Sequence, residues 1–326
     1  MHAHSDVHPD AVARLRAALS RSIVGQDALL DRLVVALLTG GHVLVEGLPG
    51  LAKTTAVKAL ARAVHAGFQR IQFTPDLLPG DLTGGEVFLP AEGRSHFVRG
   101  PLFHDIVLAD EINRAPAKVQ SALLEAMQER QITVGGTTHA LPGMFLVMAT
   151  QNPLEQSGTY PLPEAQLDRF LLHVVLDYPS AAQERAILDM DMDMDPGTPA
   201  PASGEAAVDV AWVLAARASV RRVHIADTLR DAIVDLVRAT RAPETRDASL
   251  RGMVDAGASP RAVLALAHAA QAMAYLRGRD YVVPEDIRAL APDVLRHRIV
   301  LSLEAGLAGL GPDALIQTLL QAGVIA

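Results

Sequence analysis

The stretch EGLPGLAKTT, residues 46–55, dictates more about the fold than any other part of the chain. An apolar run, HVLVE (42–46), leads into it, and a helical pattern, TTAVKALARAVHAG, leads out. Strand, Gly-rich loop and helix in that order are the context of the phosphate-binding pattern G-x-x-x-x-G-K-[ST]. Gly47, Lys53 and Thr54 hold their places, Ala52 stands where the second glycine is usual, and Gly50 lies two residues early. A phosphate site needs backbone N–H groups at a helix N-terminus. It also needs a cation for the terminal phosphates, here Lys53, and a hydroxyl for Mg²⁺, here Thr54. The second glycine is the least chemical of these needs, and alanine is its smallest replacement. The expected nucleotide contacts in this loop are Gly47, Pro49, Gly50, Leu51, Ala52, Lys53, Thr54 and Thr55. Taken alone, the loop also reads as a strand–turn–helix without a ligand.

Three further apolar runs read as buried parallel strands: IVLAD (106–110), FLVMAT (145–150) and LLHVVL (171–176), with a weaker RIQF at 70–73. Helical patterns such as AKVQSALLEAMQER lie between several of them, which implies a parallel sheet covered on both faces. Two segments interrupt the alternation as hairpins: 86–100, turning at PAEG, and 131–141, turning at Gly135-Gly136. A Pro-, Gly- and Asp-rich stretch at 189–206 reads as a linker. The expected division is an α/β core over 1–188, the linker, and a helical domain over 207–326. In the last, Leu229, Ile233, Leu236 and Val237 share a stripe with Asp227 as cap. Ser259 caps a helix with Pro260 at its first position and Gly278 as its stop, and a further helix is interrupted near Pro292.

The net charge of −8, from 29 basic against 37 acidic residues, argues against a broad nucleic-acid or membrane-surface footprint. The absence of cysteine excludes disulfides, thiolate metal sites and cysteine nucleophiles. The N-terminus lacks a signal-peptide pattern, and the longest apolar run, near 33–38, is too short to span a membrane. A cytoplasmic protein without membrane insertion is expected.

A second chemical signal is Asp110-Glu111, at the carboxyl end of an apolar strand, where parallel α/β sheets bind ligands. Asp110 would hold Mg²⁺ through water, and Glu111 would orient and deprotonate the attacking water. A solvent-facing acidic pair is the bland alternative. A third is Asn152 in ATQNP, whose amide can touch both the water and the γ-phosphate; Asn-Pro is equally a turn starter. Asp189, Asp191, Asp193 and Asp195 read as a solvated acidic linker, and His2, His4 and His8 as a tail.

The set GLPGLAKT, DEINRAP, ATQNPLEQSGTYPLPEAQLDRF and SPRA, in this order and spacing, resembles the MoxR family of AAA+ ATPases. The resemblance runs from about Val24 to the C-terminal helices and makes Ala52 a family mark. It implies a P-loop AAA+ core with a five-stranded parallel sheet and two β-hairpin insertions, one within the second helix and one before the strand leading to Asn152. A C-terminal all-α lid domain would follow. It implies ATP and Mg²⁺ as ligands, with Val24 and Gly25 of IVGQD near the base. By position, Arg169 in QLDRF resembles the arginine finger that reaches a neighbour's γ-phosphate, Arg261 in SPRA the lid arginine, and Arg114 in DEINRA an interface residue. An arginine supplied in trans is worth roughly 10³–10⁵ in rate. Arg261 falls in the first turn of its helix, against the positive dipole end, which favours function over stability. The resemblance further implies a homo-oligomeric, hexameric ring that matures or remodels an unidentified protein client beside von Willebrand factor A domain partners. A metal-chelatase motor subunit, a DNA-acting AAA+ motor (Arg70, Arg94 and Arg99 being the basic residues in question) and a nucleotide-binding scaffold are the alternatives.

Overall fold

The apolar runs become the strands of one sheet. A computed structural model describes residues 9–21, 23, 25–91, 93–154, 158–192 and 207–325. Its first nine strands are β1 (Val43–Glu46), β2 (Phe68–Gln72), β3 (Gly84–Leu89), β4 (Arg94–Arg99), β5 (Ile106–Asp110), β6 (Gln131–Val134), β7 (Thr137–Ala140), β8 (Leu146–Gln151) and β9 (Leu172–Val175). The sheet order is β2-β5-β8-β1-β9, and β2–β5, β5–β8 and β8–β1 pair in parallel. β1, β5 and β8 are buried at every residue but the last, which is why they read as continuous apolar runs rather than alternating ones. β2 sits at the sheet edge, where Arg70 and Gln72 can stay exposed while Ile71 is buried. Leu108 is fully buried in β5, so its truncation to alanine costs about 2–5 kcal/mol.

The helices up to residue 220 are α1 (Pro9–Ser20), α2 (Asp27–Thr39), α3 (Lys53–Ala63), the short α4 (Pro79–Thr83), α5 (Ala117–Glu129), α6 (Glu164–Leu167), α7 (Ala181–Met192) and α8 (Val210–Val220). Both hairpins form where the sequence places them, as β3–β4 and β6–β7. Phe97 of the first stacks on His139 of the second, with ring centroids 3.9 Å apart. At the base of the first hairpin, a Cβ on Gly84 would stand 2.1 Å from the Val98 carbonyl oxygen, so only glycine fits there.

Two compact units divide the chain differently from the expected 1–188, 189–206 and 207–326: Met1–Leu162 with Val174–Ala215, and Pro163–His173 with Ala216–Ala326. The segment carrying Arg169 therefore groups with the helical unit. α7 also runs through 189–192, inside the expected linker, with Asp189 paired to Arg185 at 2.9 Å as an i,i+4 helix contact. Asp193, Asp195, His2, His4 and His8 lie outside the described residues.

The helical unit holds α9 (Asp227–Ala239), α10 (Pro260–Leu276), α11 (Pro284–Leu295), α12 (Leu303–Leu307) and α13 (Pro312–Leu319). It also holds a short antiparallel pair, β10 (Val254–Ala256) with β11 (Val300–Leu301), which the helical pattern did not announce. Ser259 caps α10 as expected, its Oγ accepting from the Arg261 N–H at 3.2 Å. Asp227 is not the cap of α9: Ala226 takes that position and Asp227 is the first helical residue, where its charge suits the dipole. Pro292 does not interrupt α11, which continues to Leu295. A proline inside a helix costs about 3 kcal/mol. Ile287, Leu290, Val294 and Leu295 are all fully buried, and each contributes about 1.5–3 kcal/mol, which outweighs that cost.

Candidate nucleotide and metal site

The loop after β1 and the carboxyl ends of β5 and β8 enclose a cavity of about 400 Å³. Its lining contains every loop residue from Pro49 to Thr55, together with Asp110, Glu111 and Asn152. Thus the three chemical signals that lie far apart in sequence meet in one place. Gly47 stands behind the lining, its carbonyl oxygen accepting from Lys53 Nζ at 2.5 Å. Lys53 opens α3, so the positive end of that helix's dipole lies beside the cavity.

Ala52 takes a left-handed backbone, φ 55° and ψ 18°, as the N-cap of α3. The turn thus keeps the conformation a glycine would adopt freely, at a cost of about 1–2 kcal/mol for a side chain with a Cβ. Gly50 bears the same sense of turn at φ 86°. Glu111 is the other left-handed residue of the site, at φ 58° and ψ 52°. Strain of this kind persists where surrounding bonds over-determine it, and here the Glu111 N–H donates to Thr150 Oγ1 at 2.9 Å.

Of the residues that hold the two carboxylates, sequence reasoning missed Thr150 and Gln72 and gave Arg70 and Arg114 other roles. Asp110 Oδ1 accepts from Thr150 Oγ1 at 2.6 Å. Asp110 Oδ2 accepts from Arg70 Nη2 at 2.6 Å and Nε at 3.0 Å. Glu111 Oε2 accepts from Gln72 Nε2 at 2.8 Å and pairs with Arg114 Nε at 3.1 Å. Arg70 and Gln72 are two apart on β2, hence on one face, and Arg70 donates to Gln72 Oε1 at 2.8 Å. The alternation in RIQF was a readable signal that these two share a face; that the face meets Asp110 and Glu111 depends on strand order.

Asn152 lines the cavity, and its Oδ1 also accepts from the Leu154 N–H at 3.2 Å. The catalytic and the turn readings of this residue are therefore compatible. Gly25 lies in the same unit, with φ 80°; a Cβ there would meet Gln183 Cδ at 3.0 Å. Val24 lies outside the described residues. Arg169 and Arg261 both belong to the helical unit, where Arg261 Nη1 stands 3.8 Å from Oδ2 of Asp168, the residue before Arg169. Among the described residues there is no cluster of three or more His, Asp or Glu suited to a metal, and no helix is long and apolar enough to cross a membrane.

The arrangement has known counterparts. Residues 42–172 match the model of the ATPase family associated with various cellular activities (AAA), and residues 246–319 match the AAA lid domain. The chain is 49% identical to Chaperone MoxR1 of Mycobacterium tuberculosis over 93% of its own length and 79% of that protein's. It is 42% identical to YeaC of Bacillus subtilis, covering 97% and 95% of the two chains. It is 33% identical to Protein MoxR of Methylorubrum extorquens, covering 90% and 88%. A solved crystal structure from Cytophaga hutchinsonii superposes with a TM-score of 0.87 at 43% identity, covering 96% and 94%.

Proposed function

The chain belongs to the MoxR family of AAA+ ATPases, and from that premise we propose that it is a Mg²⁺-dependent ATP hydrolase working as a homo-oligomeric, hexameric ring. The observation that carries the reading is the cavity that unites the loop 49–55 with Asp110, Glu111 and Asn152. The donor set suits a hard divalent cation, because a hydroxyl and a carboxylate share the lining. Thr54 and Asp110 would hold Mg²⁺, which would supply charge neutralisation to the phosphates.

Lys53 binds the terminal phosphates as a point charge at the head of α3. Pro49, Gly50, Leu51, Ala52 and Thr55 shape the cradle, and Gly25 belongs to the segment beside the base. Glu111 accepts a proton from the attacking water, and Asn152 orients that water with its amide. Arg169 enters a neighbouring copy's site as the finger, Arg261 senses the phosphates from the helical unit, and Arg114 lies at the contact between copies.

The likeness to a protein named Chaperone MoxR1 supports chaperone-like remodelling or maturation of a protein complex. A cytoplasmic location and von Willebrand factor A domain partners complete the proposal. Val87, Phe88 and Val98, exposed on the first hairpin, support a protein client, and the net charge of −8 weighs against nucleic acid. The test is Lys53→Ala in a nucleotide-binding and ATPase assay. Binding and turnover should both be lost; hydrolysis at the wild-type rate would remove the loop from the site.

A further inference from the structure

The guanidinium of Arg298 is enclosed in the helical unit, its side chain 3% exposed. Such a group carries five N–H donors in a fixed plane, and a buried charge is tolerated only when these are met. Nε donates to Asp168 Oδ1 at 2.7 Å. Nη2 donates to the main-chain oxygens of Phe170 at 2.6 Å and Asp168 at 3.4 Å. Nη1 donates to that of Leu171 at 3.3 Å and to that of Val294. All but the last of these acceptors belong to residues 168–171, the stretch from which Arg169 extends. The two preceding residues add to the grip: His297 Nε2 donates to the Phe170 oxygen at 3.1 Å, and Arg296 Nη1 donates to the His173 oxygen.

The same carboxylate reaches the second phosphate-directed arginine. Ser259 Oγ donates to Asp168 Oδ2 at 3.2 Å and caps α10, the helix that carries Arg261. Buried ion pairs are poor stabilisers, and apolar replacements are often neutral or better. Fold stability therefore gives little reason for this one. What it does supply is directional: several hydrogen bonds that admit a single main-chain geometry on either side of Arg169.

We propose that Arg298 is a positioning residue for Arg169, clasping residues 168–171 so that the finger extends from a fixed main chain, with Asp168 tying that chain to the start of the helix bearing Arg261. The proposal rests on the reading of Arg169 as a finger that acts in a neighbouring copy's site.

The test uses full-length chains. Arg298→Met should lower kcat about 100-fold, the scale of a misplacement near 1 Å, while KM and the affinity for a fluorescent ATP analogue stay within about twofold. Arg298→Lys keeps the charge opposite Asp168 but loses the fork, and should fall between the two. Mixing then separates positioning from a purely structural role. Arg298→Met chains have an intact site and a misplaced finger; Lys53→Ala chains have the reverse. The mixture should hydrolyse ATP well above either component alone. A control mixture of Arg169→Ala with Lys53→Ala should do the same. An inactive Arg298→Met mixture beside an active control overturns the proposal and leaves the finger reading standing. If the control is inactive too, the finger reading fails and the proposal falls with it. Wild-type turnover in Arg298→Met, or loss of nucleotide binding in both Arg298 variants, overturns it as well.

Discussion

Arg70 and Asp110 meet across the β2–β5 pairing, with Nη2 of the arginine 2.6 Å from Oδ2 of the carboxylate. The group expected to face a metal ion thus already faces a cation of the chain. The Arg70 side chain is 48% exposed, and a pair so open to solvent is worth about 0.2–1 kcal/mol. Arg70→Ala should therefore lower the Mg²⁺ concentration that half-saturates ATP hydrolysis, by about 1.4- to 5-fold. A Mg²⁺ titration of ATPase activity checks this, and a higher requirement in the variant would contradict it.

Ala52 holds a left-handed conformation that disfavours a Cβ by about 1–2 kcal/mol, while glycine gives back about 0.5–1 kcal/mol in chain entropy. Ala52→Gly should leave nucleotide binding intact and stabilise the protein by about 0.5–1 kcal/mol, raising Tm by a few degrees at most. Thermal melts of the two proteins without nucleotide give the answer. A lower Tm would mean that the alanine methyl contributes packing in excess of its strain.

Glu111→Gln retains the shape of the side chain but removes its proton-accepting charge. Turnover should fall by about 10²–10⁴ with ATP still bound, so that ATP-loaded assemblies accumulate. Size-exclusion profiles with and without ATP report this directly. Identical profiles would count against both the role of Glu111 and nucleotide-driven assembly.

Acid should destabilise the helical unit through His297. Burial first, and then the neighbouring Arg298 and His173, hold its imidazole well below the ordinary histidine range. Its Nδ1 is buried without a hydrogen-bond partner among the described residues, so a proton there would find no acceptor. Burial and Arg221 shift His268 in the same direction. Above about pH 6.5 both the folded and the unfolded states carry a neutral imidazole, and the stability is fully present. As the pH falls below that value the unfolded chain takes up the proton first, so stability drops by up to about 1.4 kcal/mol per pH unit per group until the folded value is reached. His297→Gln should flatten this loss in denaturant melts between pH 5 and 7.5. Parallel pH curves for wild type and variant would refute the assignment.

The fold was largely legible because its signals are local. β5 begins and ends where IVLAD does, both hairpins turn where Gly135-Gly136 and PAEG predict, and Ser259 caps α10. Pro292 was misread because the proline penalty is a local term of about 3 kcal/mol, and tertiary burial along α11 exceeds it. Asp227 was misread by one position, since residue type fixes a helix end only to within a residue or two.

The sequence by itself determined which residues meet around the cavity. Lys53, Thr54, Asp110, Glu111 and Asn152 each end or follow a strand or open a helix, and a parallel sheet gathers such ends at one edge. Only the tertiary structure decided what holds them. Arg70 and Gln72 reach the two carboxylates because β2 pairs with β5, a partnership that no stretch of either strand specifies. Arg298 grips the main chain around Arg169 from 130 residues away, and that segment belongs to the helical unit rather than the sheet. Periodicity and turn chemistry act over a few residues and can be read along the chain. Strand order, register and a buried guanidinium's choice of carbonyls are settled only when the whole core packs, and they leave no local trace.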